Sequence, residues 1–105
     1  MPQFAVYRNP NPATADEYPL LVVVQSDLLG DLATRVVIPL RPAAALGGRP
    51  VRTLMPVVDV AGDAYALLTP QLAGIPRRQL GEPVGSLAAS RGEITAALDL
   101  LITGI

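Results

Sequence analysis

The sequence predicts a mainly β domain, a small barrel of short strands followed by one C-terminal α-helix. Three observations predict it. Short runs rich in valine and isoleucine recur between proline and glycine punctuation, as at residues 20–25 and 35–40. Two apolar runs, residues 57–60 and 64–68, flank Ala61-Gly62-Asp63, where a glycine followed by an aspartate signals a hairpin. One helical stretch follows Ser90, its apolar residues Ile94, Leu98, Leu101, Ile102 and Ile105 falling at helical offsets on one stripe.

Each element has its own warrant. Residues 4–7 read as a strand with Phe4 and Val6 on one face, ended by Asn9-Pro10-Asn11-Pro12, because the residue before a proline is pushed out of the helical region. Residues 20–25 are apolar almost throughout, the pattern of a short strand buried on both faces. Ser26-Asp27-Leu28-Leu29-Gly30-Asp31 breaks that strand, and its paired leucines are either core plugs or a contact patch. In the strand at 35–40, Pro39 cannot donate to a ladder, which predicts a sheet edge or a bulge there. Residues 41–50 carry too many breakers for a long element and read as a loop with one helical turn. Residues 72–75 lie between Pro70 and Pro76, and residues 77–84 are punctuated by Gly81 and Pro83, so short irregular strands are expected. The last helix opens on Ser90-Arg91-Gly92-Glu93, the spacing of a capping box. Gly104 suits a left-handed C-cap.

Composition narrows what such a domain can do. At 105 residues the chain is one domain, residues 1–105, able to bury a single core. Charged residues make up 16% against roughly 25% in an average globular domain, so part of the surface is expected to be covered by a subunit or partner, with a compact apolar core as the alternative. The apolar helical face running to the last residue adds to that expectation of docking. All eight basic residues are arginine and the net charge is -1, which disfavours autonomous nucleic-acid binding. Histidine and cysteine are absent, removing the commonest general base, thiol chemistry, disulfides and the usual zinc ligands. No catalytic residue, metal ligand or cofactor is therefore assigned. No apolar run approaches the ~20 residues of a membrane span, and no signal peptide is visible, so a cytoplasmic protein with no membrane contact is expected.

Specific words in the chain carry more. Pro2-Gln3-Phe4-Ala5-Val6-Tyr7, Val22-Val23-Val24-Gln25-Ser26-Asp27-Leu28-Leu29, Arg35-Val36-Val37-Ile38-Pro39-Leu40, Leu54-Met55-Pro56-Val57-Val58 and Gly104-Ile105 together resemble the CcdB family of toxins, in order and spacing over essentially the whole chain. Extra residues are accommodated in the loop at 9–16. The resemblance implies an SH3-like barrel of the CcdB/MazF type with an added small antiparallel sheet and a C-terminal helix, working as a homodimer and not as an enzyme. It implies the toxin of a type II toxin-antitoxin module that poisons DNA gyrase by binding its A subunit and trapping cleaved DNA. A CcdA-like antitoxin would neutralise it and join it as corepressor of the operon, with DNA contacted only through the antitoxin.

Carried over by position, the gyrase-contact set is Ser26, Leu28 and Leu29 in the turn, Asp99 on the helix, and Thr103, Gly104 and Ile105 at its end. The family's best-known ending is Trp-Gly-Ile, its tryptophan stacking on a gyrase arginine; Thr103 stands in that place and removes a cation-π contact of about 0.5 to 2 kcal/mol per site. For the antitoxin, Arg41, Leu46 and Arg49 are candidates, since arginines in that loop suit an acidic peptide; a plain surface loop is the alternative. Two other functions stay open. Thr103 motivates a non-poisoning, antitoxin-binding corepressor or decoy. The likeness of CcdB barrels to the RNA-cleaving MazF and Kid toxins motivates a ribonuclease in which Arg35, Arg41, Arg49, Arg52, Arg77 or Arg78 binds phosphate and a carboxylate acts as base.

Overall fold

A computed structural model describes residues 2–47 and 51–104. Its strands are β1 (Ala5–Arg8), β2 (Leu20–Val23), β3 (Thr34–Pro42), β4 (Val57–Val60), β5 (Asp63–Leu67), β6 (Ala73–Pro76) and β7 (Pro83–Ser86), and α1 spans Arg91–Thr103. The strands form one antiparallel sheet in the order β4-β5-β3-β2-β1-β7, with β6 branching from β3 as the added small piece of sheet. The sheet curls until its two ends approach: a Cβ placed on Gly85 of β7 would lie 3.9 Å from Val60 Cγ1 of β4. Mainly β, a curled half-barrel with a C-terminal helix, is thus the architecture.

Alternation along the strands divides the apolar residues between two faces. Val6, Val22, Ile38, Leu40, Val60 and Leu67 point to the inside of the curl, where α1 adds Ile94. Ala5, Tyr7, Leu21, Val23 and Val37 point outward and are covered by Ile75 and Leu80 from the β6 region. The buried-on-both-faces reading of β2 holds: all its residues are buried, alternating between the two clusters. Phe4 sits just before β1 at φ 69 with its ring in the inner cluster, held by its N–H to Val23 O at 2.6 Å.

Pro39 departs from its expected place. It lies inside β3, a central strand, opposite Leu21 of β2. The sheet tolerates it because β3 changes partner there, pairing with β6 over residues 34–37 and with β5 over residues 40–42. In an extended strand the N and O of one residue point to the same side, and Pro39 O accepts from Leu68 N at 2.9 Å in that gap. The missing N–H therefore falls on that same side, at the point where β3 passes from β6 to β5.

The hairpin turns on Ala61 and Gly62, at φ 51 and 89. Both central residues are left-handed, the requirement of a type I′ turn, which alanine meets at a steric cost of about 1 kcal/mol. Ala61→Asn is expected to raise stability by about 0.5 to 1 kcal/mol, read as a higher urea midpoint at constant m-value; an unchanged or lower midpoint contradicts the turn assignment.

The helix starts where expected but without the capping box. Ser90 is the N-cap residue at φ -104, ψ 16, and its side chain makes no cap hydrogen bond. It ends a 3-10 turn, Ala88–Ser90, so its backbone is not in the extended conformation that aims a capping hydroxyl at the first turn. At the other end Gly104 is the left-handed C-cap, φ 75, donating to Leu100 O at 3.0 Å. The stripe is only partly core: Ile94 and Ala97 are buried, Leu98 and Leu101 half-buried, and Ile102 is 73% exposed.

Thr69, in the turn Thr69–Gln71 on which α1 packs, is fully buried, and its Oγ1 has no hydrogen-bond partner among the described residues. A buried hydroxyl without a partner costs about 1 kcal/mol or more. Thr69→Val is expected to raise the melting temperature, and a loss of stability would show that the hydroxyl is satisfied in solution.

Candidate functional site

The segment between β2 and β3 is short of apolar anchors, yet it is fixed tightly from beneath. Gln25, buried at the strand end, donates through Nε2 to Leu29 O at 3.0 Å and accepts from Val36 N through Oε1 at 3.1 Å. Ser26 Oγ accepts from Leu28 N at 3.2 Å and opens a 3-10 turn, Asp27–Leu29. The Asp27 carboxylate accepts from Gln3 N at 2.7 Å. Arg35 is 4% exposed and forms no ion pair among the described residues; its guanidinium donates to the carbonyls of Gly30 at 2.7 Å, Thr34 at 2.8 Å and Leu32. The rigid fork and weak hydration of guanidinium suit it to such a buried, carbonyl-only site.

This clamp presents side chains outward. Leu28 is 94% exposed, Leu29 50% and Leu32 49%. The paired leucines are therefore not core plugs: they stand exposed on a pinned turn. Leu32, Gln25 and Arg35 belong to this construction and were not singled out from sequence for it. The one available signal was a polar Gln25 closing an apolar strand.

At the helix end, Asp99 and Thr103 are exposed, and the Thr103 hydroxyl donates to Asp99 O at 2.6 Å. Ile102 stands beside them with its side chain in solvent. Ile105 lies outside the described residues. The helix packs mainly on the turns Thr69–Gln71 and Ala88–Ser90, and the turn carrying Leu28 is not among its principal packing partners within the chain. Leucine turn and helix tip are thus two separate features of the chain's surface.

Of the antitoxin candidates, Arg41 lies near the end of β3 and pairs with Glu17 at 3.4 Å. Leu46, half-buried, caps the turn Ala43–Ala45. Arg49 lies outside the described residues. Among the phosphate candidates Arg35 is occupied by carbonyls, whereas Arg52, Arg77 and Arg78 are exposed. Beneath the leucine turn is a cavity of about 320 Å³ lined by Ser26, Asp27, Arg35 and Arg77. Among the described residues no cluster of three or more potential metal ligands occurs, and no helix is long and apolar enough to cross a membrane.

A sequence profile described as CcdB protein matches residues 3–104. Three solved structures share the architecture. One is an endoribonuclease in complex with its cognate antitoxin from a Mycobacterial species, 18% identical, with a TM-score of 0.71 over 97% of this chain and 94% of the other. Another is an endoribonuclease from a Mycobacterial species, 18% identical, TM-score 0.70, covering 97% and 90%. The third is a crystal structure of an Mtb toxin, 17% identical, TM-score 0.70, covering 92% and 99%. At these identities the likeness is one of fold. It nevertheless overturns the expectation that the chain is not an enzyme, because proteins named as endoribonucleases share its architecture over almost their whole length. That expectation came from the resemblance; the residues themselves leave carboxylates to transfer protons and arginines to stabilise phosphoryl charge.

Proposed function

The chain belongs to the CcdB protein family, and on that premise we propose that it is the toxin of a toxin-antitoxin module that docks on the A subunit of DNA gyrase and traps the enzyme on cleaved DNA. The observation that carries this reading is Leu28, 94% exposed on a turn fixed by Gln25 and Arg35. A turn whose backbone is already fixed loses little conformational entropy on docking, so burial of its apolar side chain goes largely into affinity. Ser26 and Leu29 extend the contact on the turn; Asp99, Thr103, Gly104 and Ile105 form the second contact, repeated across a homodimer. Thr103 lacks the family's ring and its hydroxyl is already bonded to Asp99 O, so the exposed Ile102 supplies the apolar area there. A CcdA-like antitoxin with an acidic segment would bind near Arg41, Leu46 and Arg49, neutralise the toxin and carry the DNA contacts of the repressing complex.

The test incubates the purified protein with gyrase, ATP and supercoiled plasmid, then denatures. Accumulation of linear DNA is the expected result; intact plasmid at micromolar protein contradicts gyrase poisoning. RNA cleavage is a second reading, favoured by the cavity lined by both Asp27 and Arg77 in a fold shared with endoribonucleases. Digestion of a mixed RNA substrate, lost in Arg77→Ala, together with an unaffected gyrase, would establish it in place of the first. Harmless induction with retained antitoxin binding would instead support a corepressor or decoy.

A further inference from the structure

On the outer face of the sheet lies a cavity of about 590 Å³ between the loop at residues 9–18 and the turn Arg77–Gln79, within the size range of small-ligand sites. Its floor is apolar, made by Leu21, Val37 and Ile75 of the outer cluster. Its loop wall is built before any ligand arrives. Asn9 Nδ2 donates to Thr14 Oγ1 at 3.0 Å and to Tyr18 O at 2.8 Å, while Asn9 Oδ1 accepts from Asn11 N at 3.1 Å. The opposite rim differs: the side chains of Gln71, Arg78 and Gln79 are exposed and form no hydrogen bond among the described residues.

We propose that this cavity binds a nucleotide unit of a single-stranded nucleic acid. The half-buried Tyr18 offers a ring against which a base can stack, worth about 1 to 3 kcal/mol per base. Gln71 and Gln79 present paired donor and acceptor groups, the match for a base edge. Among the described residues Arg78 is the one charged side chain lining the cavity, and it is a cation. An apolar floor, an aromatic ring, amides and one guanidinium together fit a flat heterocycle bearing phosphate better than an acidic peptide, which would use the cation alone. The next residue, Arg77, lines the neighbouring cavity of about 320 Å³. A strand crossing the turn would therefore meet two guanidiniums in succession. The net charge of -1 averages over the whole chain and hides this local pair.

The proposal goes beyond gyrase docking and is independent of it. Its test is fluorescence anisotropy of the full-length protein with a labelled single-stranded RNA, the same sequence as DNA, a duplex of it, and an acidic peptide. Arg78→Ala and Gln79→Ala are compared with Arg91→Ala, which removes the same charge at an exposed position outside both cavities. Binding to single strands that falls with salt, weakens about tenfold in Arg78→Ala and Gln79→Ala and is unchanged in Arg91→Ala is expected; the RNA and DNA arms then identify the source. No binding of either single strand, binding of the peptide alone, preference for the duplex, or equal effects of the Arg78 and Arg91 variants would overturn it.

Discussion

Arg35→Met is expected to destabilise the domain by about 2 to 4 kcal/mol, read as a lower urea midpoint. Three backbone carbonyls take their bonds from this one buried guanidinium, and hydrogen bonds to a charged donor are worth about 1.5 to 3 kcal/mol each. The gross loss is reduced by the desolvation penalty that burying a charge carries in the native protein. Methionine fills the apolar stem's volume but leaves the carbonyls of Gly30 and Leu32 without their donor. The effect should be concentrated in the loop: amide exchange at residues 28–33 should accelerate more than in β2 or β3. A midpoint shift below about 0.5 kcal/mol, the range of ordinary surface substitutions, would show that the loop holds itself and that Arg35 is not its clamp.

Ile38→Ala is expected to cost about 3 to 5 kcal/mol. The side chain is fully buried in the inner cluster, on a strand paired along both edges and opposite Val22. Truncation loses the transfer free energy of the removed carbons and leaves a cavity that a strand held on both sides cannot collapse to fill. Ile102→Ala removes the same atoms from a side chain 73% exposed, and should change stability by no more than about 0.5 kcal/mol. Equal costs would contradict the placing of Ile38 in the core and of Ile102 in solvent.

That pair shows where sequence reading succeeds and where it stops. Periodicity identified the helix and placed Ile94 correctly, but it could not tell that the barrel ends before Ile102, because that depends on how far the curled sheet extends under the helix. The strand at Leu20–Val23 was legible since burial on both faces needs an unbroken apolar run. Pro39 was misplaced because sequence does not reveal that β3 exchanges β6 for β5 within one strand length. Ser90 had the spacing of a capping box, and the 3-10 turn before it took away the required backbone geometry. In the site, the leucine turn was visible as an anomaly, but its exposure was not. The Arg35 clamp was hidden because all of its acceptors are main-chain carbonyls, which carry no sequence signature. The outer cavity joins residues from the loop at 9–18 and the turn Arg77–Gln79, a juxtaposition made only by the fold. The absence of histidine was legible and excluded one base rather than a class of reaction; the expectation of no enzyme came from the resemblance, and the fold shared with endoribonucleases overturned it.

The most direct measurement of the central claim is calorimetric titration of the full-length protein against the gyrase A subunit, with Leu28→Asp alongside. Leu28 is almost wholly in water, so the substitution should leave the melting temperature unchanged. The account predicts binding by the native protein and a loss of at least about tenfold in Leu28→Asp, the size expected when an interface anchor is removed. No binding by the native protein, or equal binding by the variant, would contradict it.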